Sequence, residues 1–182
     1  MIYKREDAAK DAAMQVAKQM VAAAVTAPKG CGNDNIEALI LDGADKDALA
    51  EHMRKIAQET GADFFTRDAA NVDDSFCIVM IAARNNPIDL ADCGLCGFEN
   101  CGQTRKAGAN CAFNITDLGI AVGSAVSLAA DNRMDNRVLF SAGKAALRMK
   151  CFPEDVRVCF GIPLAASAKS VFFDRDPANV MV

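Results

Sequence analysis

The chain has 182 residues, of which 52% are hydrophobic and 24% charged, and its formal net charge is −4. This composition excludes an intrinsically disordered protein, which would combine low hydrophobicity with high net charge. The acidic balance, with a pI near 5.0, argues against a nucleic-acid-binding surface, which needs clustered basic residues. Eight cysteines in 182 residues fall below the density of about 8–10% that marks a disulfide-stabilised scaffold.

The expected compartment follows from the N-terminal residues and from the apolar runs. Met1 to Lys10 carries charged side chains where a secretory signal peptide would have its apolar stretch. No uninterrupted apolar run of about 18 residues is present, so no membrane span is expected; the nearest candidate, around Ile120, is bounded by Asp117 and Asp131. We therefore expect a cytoplasmic protein, whose thiols stay reduced and available to metal.

The first half of the chain alternates helical and strand patterns. Apolar residues recur at helical spacing over residues 6–24 and again over residues 49–56, which predicts two amphipathic helices. Ile36 to Leu41 and Phe76 to Ala82 are short apolar runs of the kind that form buried strands. Four acidic residues precede the second run and are expected in a solvated loop: Asp63, Asp68, Asp73 and Asp74.

The amino-acid composition changes at the start of the second half of the chain. Residues 89–112 are rich in glycine and cysteine and lack periodicity, so they are expected to be an inserted segment of a single domain spanning residues 1–182. Asn114 is placed to cap the helix that follows. The predicted elements beyond it are an almost entirely apolar helix (Ile115 to Ala130), a helix (Met134 to Met149), a strand that Gly161 and Pro163 interrupt (Val156 to Phe160) and a short last strand (Ser170 to Phe173). These elements predict a three- or four-stranded sheet covered by helices, an α+β or α/β domain.

The residues with the clearest chemistry are four cysteines within the inserted segment. Cys93, Cys96, Cys101 and Cys111 follow the spacing C-x2-C-x4-C-x9-C, so four thiols fall within nineteen residues. The two-residue gap lets neighbouring thiolates face one centre. The interleaved glycines let the backbone wrap closely and direct N–H groups at sulfur, which helps to set the potential of a cluster. The spacing therefore predicts a metal site with these four ligands.

Three interpretations of this site remain open. Structural zinc usually uses two paired C-x2-C knuckles separated by a longer loop, whereas this chain has one knuckle and two single thiols. A [4Fe–4S] or [2Fe–2S] centre accepts such asymmetric spacing more readily, although the spacing is neither the bacterial nor the plant ferredoxin pattern. Redox-active or disulfide-forming thiols without metal are the third interpretation.

A resemblance favours iron and sulfide. The string Cys93-Gly-Leu-Cys96-Gly-Phe-Glu-Asn-Cys101-Gly resembles the four-cysteine iron–sulfur domains of corrinoid iron–sulfur proteins and of membrane electron-transport complex subunits. This resemblance implies a [4Fe–4S] cluster, with Cys111 standing closer to the third cysteine than the fourth ligand of those domains does. Taken whole, the chain also resembles a family of ferredoxin-domain proteins of unknown function.

The surrounding domain resembles the flavin-dependent nitroreductases. The similar segments are Ala27-Pro28-Lys29-Gly30 after the first helix, the apolar helix from Asp117, and Gly161-Ile-Pro163 after a strand. The resemblance implies a nitroreductase-like α+β sandwich, a homodimer, and FMN at the dimer interface. Two departures stand against FMN. The Asn-x-Gln-Pro-Trp flavin loop is replaced by residues 31–35, and the arginine-rich phosphate-binding start is reduced to Lys4-Arg5.

The sequence thus predicts a [4Fe–4S] protein that exchanges electrons with an unidentified redox partner. The alternatives are an FMN-dependent oxidoreductase with an accessory cluster, and a structural zinc module. Whether the chain is an enzyme stays open, because its single histidine, His52, has no partners for a catalytic triad. Outside the cluster, Cys77 and Cys159 are expected to be buried, Cys31 is expected in an exposed loop, and Cys151 is assigned no role.

Overall fold

The structure is a computed structural model that describes residues 1–173. It contains helices α1 (Arg5–Thr26), α2 (Gly43–Thr60), α3 (Phe64–Asp73), α4 (Cys101–Lys106), α5 (Ala112–Asp131) and α6 (Phe140–Arg148). Its strands are β1 (Ile36–Asp42), β2 (Cys77–Arg84), β3 (Asp135–Asn136) and β4 (Val156–Ala165). The predicted first two helices, first two strands and long apolar helix are all present, with ends shifted by a few residues.

The four strands form one antiparallel sheet in the order β1-β2-β4-β3. Because side chains alternate along a strand, β2 supplies both sides of the sheet. Val79 and Ile81 face the helices α1 and α5, whereas Ile78 and Met80 face α2, α3 and α6. The result is a three-layer sandwich of the α+β class, with a hydrophobic core on each face of the sheet.

The predicted helix over Met134 to Met149 is wrong in its first half. Residues 135–136 are strand β3, and Leu139 exchanges two backbone hydrogen bonds with Gly161, at 2.7 and 3.0 Å. These long-range bonds hold the segment extended against β4, so the helix begins only at Phe140. Local helical spacing cannot reveal such a pairing, because the partner lies more than twenty residues away.

The predicted interruption of the last long strand at Gly161 and Pro163 is also wrong. Strand β4 runs through both residues. The N–H of Gly161 points to the β3 side of β4, where it donates to Leu139, so the nitrogen of Pro163 faces that side too. On that side, Pro163 lies between the Asn136–Leu164 pair and the Leu139–Gly161 bridge and belongs to neither. The missing N–H of the proline therefore costs no hydrogen bond of the sheet.

The predicted acidic loop before β2 is instead helix α3. Phe65, Ala69 and Val72 lie on its buried face at helical spacing, a pattern that the neighbouring charges conceal. Asp68 is only 4% exposed, and the buried hydroxyl of Ser141 donates to its carboxylate at 2.6 Å. This aspartate therefore ties α3 to α6 rather than facing solvent.

Two smaller predictions fail as well. Asn114 does not cap α5, because the helix begins at Ala112 with Cys111 in the N-cap position. Residues 170–173 form a turn rather than a strand, and the hydroxyl oxygen of Ser170 accepts hydrogen bonds from the N–H groups of Phe172 and Phe173 at 3.3 Å.

Helix α5 is the one helix within residues 1–173 that is long and apolar enough to cross a membrane, by length and composition alone. Core helices of soluble proteins meet the same criterion. One side of α5 packs into the core with α1 and the sheet through Leu118, Ala121 and Ala125. Core packing therefore accounts for the apolar residues on that side.

Candidate metal centre

All four predicted ligand cysteines line one pocket at the end of β2. Cys93, Cys96, Cys101 and Cys111 come from the loop after β2, from the start of α4 and from the N-cap of α5. The wall is otherwise largely apolar, with Pro87, Ile88, Leu90, Phe98 and Phe113 among its residues and Asn100 and Thr104 as polar members. The structure thus brings together the residues that the spacing singles out.

Left-handed backbone conformations fold the loop around the pocket. Gly94 and Gly97 have φ values of 57° and 82°, which residues with a side chain adopt only with strain. The N–H of Gly97 donates to the carbonyl of Gly94 at 2.9 Å, which closes a tight turn. This turn lies between Cys93 and Cys101 and brings Cys96 to the same pocket.

Helix α4 presents Cys101 from a capped first turn. The side chain of Asn100 accepts a hydrogen bond from the N–H of Gln103 at 3.1 Å, and the side chain of Gln103 accepts one from the N–H of Glu99 at 3.3 Å. Both bonds satisfy N–H groups at the start of the helix. The capped turn sets the direction in which Cys101 leaves the backbone.

Thr104, one turn along α4, contacts the sulfur of Cys96. The threonine side chain is buried, and its Oγ1 lies 3.1 Å from the Sγ of Cys96. Hydrogen bonds from this hydroxyl and from the main chain of Phe98 lower the pKa of the Cys96 thiol. A thiolate at this position is therefore stabilised, and thiolates are the form that binds metal.

Arg105 fastens the loop to α4 and adds positive charge to the site. Its guanidinium binds both carboxylate oxygens of Asp89, one at 2.8 Å, and donates to the carbonyl of Pro87 at 2.9 Å. The Asp89 carboxylate raises the pKa of Arg105, with smaller contributions from Cys101 and Cys111. In return, Arg105 lowers the pKa of Asp89. Arg105 belongs to α4, the helix that also presents Cys101, and it is paired with Asp89 there.

Cys111 is the most buried of the four thiols, at 5% exposure. Its N-cap position puts it beside the unpaired N–H groups of α5, where negative charge is stabilised. The N–H of Cys111 donates to the side-chain oxygen of Asn85 at 3.2 Å. One turn further, the side-chain oxygen of Asn114 accepts from the N–H of Asn86 at 2.9 Å. The start of α5 is thus joined to the end of β2.

The chemistry of these donors fits a thiolate-bound metal centre. Within residues 1–173, the pocket lining contains no histidine or carboxylate, so its strong donors are sulfur atoms, which select zinc, Cu(I) or iron–sulfur clusters. No three histidine, cysteine, aspartate or glutamate side chains in this part of the chain already converge on one ion-sized point. The thiols instead line the wall of the pocket.

The remaining cysteines lie apart from this pocket. Cys77 and Cys159 are buried in β2 and β4, as predicted, and burial raises the pKa of the Cys77 thiol to about 11 and that of Cys159 further still. Cys31 is exposed in a short turn, as predicted. Cys151 is half-buried, and burial followed by the charge of Asp45 raises its pKa.

Sequence reasoning missed three residues that shape the site, namely Asn85, Thr104 and Arg105. Thr104 follows Cys101 at a spacing of one helical turn, so a helix predicted to start at Cys101 would have pointed to it. Arg105 and Asn85 act through residues far along the chain, and no local pattern identifies them.

Comparison with known proteins assigns the chain to a family. A protein of Archaeoglobus fulgidus described as uncharacterized is 37% identical over 185 residues, covering 97% of this chain and 99% of that protein. Residues 107–175 match the profile of a family described as an uncharacterized protein containing a ferredoxin domain (DUF2148). The chain belongs to this ferredoxin-domain family. The matched residues of this family member include Cys111, Cys151 and Cys159 and begin after Cys101.

The family member has the fold of nitroreductases. It resembles a nitroreductase of Desulfovibrio desulfuricans in complex with FMN, with a TM-score of 0.59, 17% identity and coverage of 90% of this chain and 79% of that one. For a nitroreductase family protein of Clostridium novyi the values are 0.53, 14%, 90% and 75%. At these identities the likeness concerns the fold, and it confirms the predicted nitroreductase-like α+β architecture.

Proposed function

We propose that the protein binds a [4Fe–4S] cluster through Cys93, Cys96, Cys101 and Cys111 and takes part in one-electron transfer. The observation that carries this proposal is the arrival of all four thiols at one pocket, from three different structural elements. Membership of a ferredoxin-domain family supports it. When bound, such a cluster stores and releases one electron at a potential that the protein sets.

The residues around the pocket suit this task. The Oγ1 of Thr104 lies 3.1 Å from the sulfur of Cys96, and the Arg105 guanidinium belongs to α4, the helix that presents Cys101. Hydrogen bonds to ligand sulfur and nearby positive charge both stabilise a centre that gains negative charge on reduction. Apolar side chains make up much of the pocket wall, and hydrogen bonds and charges act more strongly beside them than in open water.

The position of the pocket supports electron exchange with another protein. Cys93, Cys96 and Cys101 are half-buried rather than deeply enclosed. Leu90 lines the pocket and is 41% exposed, and Leu95, between two of the cysteines, is 67% exposed. Exposed apolar side chains beside a redox centre offer a contact surface for a partner. We infer that the donor or acceptor is a redox protein that docks at this rim.

Anaerobic purification with metal and sulfide analysis tests the proposal. We expect iron and acid-labile sulfide in equal amounts, about four of each per chain, together with a broad visible absorption that bleaches on reduction. Protein that contains zinc without sulfide would overturn the proposal and favour the structural zinc module. That module is the less expected outcome, because structural zinc sites usually have two C-x2-C knuckles and this chain has one. Metal-free protein after reconstitution with iron and sulfide would leave redox-active thiols as the alternative.

A flavin oxidoreductase with an accessory cluster is the second candidate. A second pocket lies at the start of α1, and its charged lining residues are Lys4, Arg5 and Glu6. Its two cations offer a place for the phosphate of FMN, and fold relatives carry FMN. In this case Lys4 and Arg5 would hold the phosphate. Flavin would supply the two-electron chemistry that a cluster lacks.

Denaturation of the purified protein tests for flavin. Flavin fluorescence in the supernatant, or binding of added FMN that a Lys4→Ala/Arg5→Ala double variant weakens, would support an oxidoreductase. A cluster spectrum unchanged by FMN, with no flavin bound at millimolar concentration, would exclude this second candidate and leave the first intact.

We also propose a homodimer that uses the outer face of α5. Ile115 and Ile120 are exposed on that face, and Gly119 and Gly123 have open space beside them. An exposed apolar helix face with small residues lets a second helix approach closely. Light scattering should give twice the chain mass, and Ile120→Glu should give a folded monomer. A wild-type monomer at micromolar concentration would contradict the dimer.

A reducing compartment fits the thiols, and we infer a cytoplasmic location. All eight cysteines are free, including the two pairs nearest in sequence, Cys93 with Cys96 and Cys96 with Cys101. Free thiols persist where glutathione and thioredoxin keep them reduced. Fractionation of cells that produce the untagged protein would test this inference, and recovery from an oxidising compartment would contradict it.

A further inference from the structure

We propose that Asn85 is a positioning residue that holds Cys111 in place as the fourth cluster ligand. This inference rests on the proposed cluster function. Asn85 directly follows β2, touches the main chain of Cys111 and belongs to no motif in the sequence. Its side chain joins the most distant of the four ligands to the most buried strand of the fold.

The side-chain amide of Asn85 forms a two-point clamp. Its oxygen accepts from the N–H of Cys111 at 3.2 Å, and its nitrogen donates to the carbonyl of Ala109 at 3.0 Å. Residues 109 and 111 are two apart, so the amide mimics the edge of a neighbouring strand. Of the polar side chains, asparagine and glutamine supply a donor and an acceptor in this geometry.

The clamp is anchored to the sheet. The main-chain N–H of Asn85 donates to the carbonyl of Asp155 at 2.8 Å, next to the paired residues of β2 and β4. Asn85 therefore cannot shift without disturbing the central strands. A rigid residue on the sheet thus fixes the backbone of a ligand that stands ten residues beyond the other three.

The other hydrogen bonds near Cys111 do not involve its N–H group. Cys111 is the N-cap of α5 but its own side chain makes no capping hydrogen bond, and its carbonyl accepts from the N–H of Ile115 within the helix. Arg157 donates to the carbonyl of Gly108, three residues earlier. In the part of the chain that the structure describes, Asn85 is the side chain that binds the N–H of Cys111.

Positioning of a ligand predicts a specific defect when the clamp is removed. In Asn85→Ala, the three thiols of the loop and α4 keep their own anchors, and Asn114 still holds the first turn of α5 to Asn86. The N–H of Cys111 alone loses its side-chain partner. We expect a chelator to remove iron about 10- to 100-fold faster than from wild type, the usual effect of losing a partner that orients a ligand. The oxidised variant should also show the EPR signal of a three-iron cluster.

Three further variants give the comparison its controls. Cys111→Ala defines the spectrum and iron content that follow from losing the fourth ligand. Asn85→Asp keeps the acceptor for the Cys111 N–H but not the donor to Ala109, so it should retain more iron than Asn85→Ala. Asn86→Ala is the matched control, because it removes the neighbouring amide and its 3.2 Å hydrogen bond to Asn35 without touching Cys111.

The outcomes separate this inference from the proposed function. The inference stands if Asn85→Ala reproduces the EPR signal of Cys111→Ala while its apoprotein melts at the same temperature as apo Asn86→Ala. It is overturned if Asn85→Ala keeps the EPR signal and iron release of Asn86→Ala while Cys111→Ala does not. Wild-type protein without iron and sulfide would refute the proposed function itself. A full four-iron cluster in Cys111→Ala would refute the assignment of Cys111 as a ligand, and with it this inference.

Discussion

The pocket thiols and the sheet thiols of this chain have opposite environments. Around the pocket, Cys96 receives hydrogen bonds that lower its pKa. In the sheet, Cys77 lies between the layers of the sandwich, and burial raises its pKa to about 11. The Cys96 thiol lies beside the hydroxyl of Thr104 and the main chain of Phe98, whereas the Cys77 thiol is buried among the apolar residues of the core. The surroundings of a cysteine therefore decide how readily it forms the thiolate that binds metal.

Loss of a pocket thiol should have the largest effect. We expect Cys101→Ala to abolish the four-iron cluster, because that residue lines the pocket from the start of α4. Cys159→Ala, its control in the sheet, should keep the full iron and sulfide content. It should lower the free energy of unfolding by about 1 kcal/mol, as small changes in a core do. Iron and sulfide assays with urea unfolding measure both effects.

The contrast between pocket and sheet thiols is wrong if Cys101→Ala and Cys159→Ala have the same iron content. Full iron content in Cys101→Ala would remove this residue from the ligand set. Iron loss in Cys159→Ala, with the fold intact, would show that a sheet thiol contributes to the centre.

Gly143 in α6 provides the second test, which concerns the stability of the sandwich. A Cβ on Gly143 would lie 1.8 Å from the carbonyl oxygen of Cys159, because α6 packs directly on β4. Since main-chain atoms cannot move aside, Gly143→Ala should cost about 3 kcal/mol or more. Gly123→Ala in α5 is the control, since nothing in the described part of the chain lies within 4 Å of its Cβ. Because Gly123 lies on the proposed dimer face, both glycine variants are made in the Ile120→Glu background, where Gly123→Ala should gain up to about 1 kcal/mol.

Urea unfolding of the apoproteins measures the free energy of unfolding of Gly143→Ala and Gly123→Ala. Equal midpoints for the two variants would mean that α6 and β4 are not in close contact. A loss of cluster from folded Gly143→Ala would show that the packing of α6 on β4 also supports the pocket.

The sequence predicts the parts of the fold that local patterns define, and it misses those that depend on long-range contacts. Helices α1, α2 and α5 and strand β2 have strong periodicity or continuous apolar character, so local patterns identify them. Strand β3 and the passage of β4 through Pro163 depend on pairing with distant residues. Helix α3 has a regular pattern that its acidic residues conceal.

The pocket shows the same division. The four cysteines are close in sequence, and their spacing alone singles out the residues that line it. Asn85 reaches Cys111 across 26 residues, and Arg105 reaches Asp89 across 16. The first contact forms only when the start of α5 meets the end of β2, and the second only when the loop folds back onto α4. Spacing can therefore single out candidate ligands that share a pocket, and their binding of a cluster stays a prediction, whereas the residues that orient them cannot be found in this way.

Thiol alkylation in the apoprotein gives the third test. At pH 8, a thiol with a pKa of about 11 is ionised in roughly one molecule in a thousand. Cys96 has a pKa below its ordinary value and is partly exposed, so it should react at least about 100-fold faster than Cys77. Mass spectrometry after iodoacetamide pulses measures both rates, and urea should make them equal.

The raised pKa of Cys77 also makes stability depend on pH. The unfolded thiol ionises near its ordinary pKa of 9.0 and the folded one near 11. The free energy of unfolding should therefore fall as pH rises from about 9 to 11, by roughly 2–3 kcal/mol. In Cys77→Ala this part of the pH dependence should vanish. An unchanged slope in that variant would assign the effect to other groups.

The smallest expected effect concerns the hydroxyl that touches a pocket sulfur. Thr104→Val keeps the shape of the buried side chain but removes the hydroxyl, which lies 3.1 Å from the sulfur of Cys96 and 3.3 Å from the carbonyl oxygen of Asn100. Since the bond to Cys96 stabilises negative charge on sulfur, its loss should make the reduction potential more negative by about 20–60 mV, equivalent to one net hydrogen bond. Thr104→Ser keeps the hydroxyl and should keep the potential. Redox titration of the two variants under one salt concentration compares them directly. A shift of equal size in both would trace the change to packing around the missing methyl group, and the hydrogen bond to Cys96 would then have no part in setting the potential.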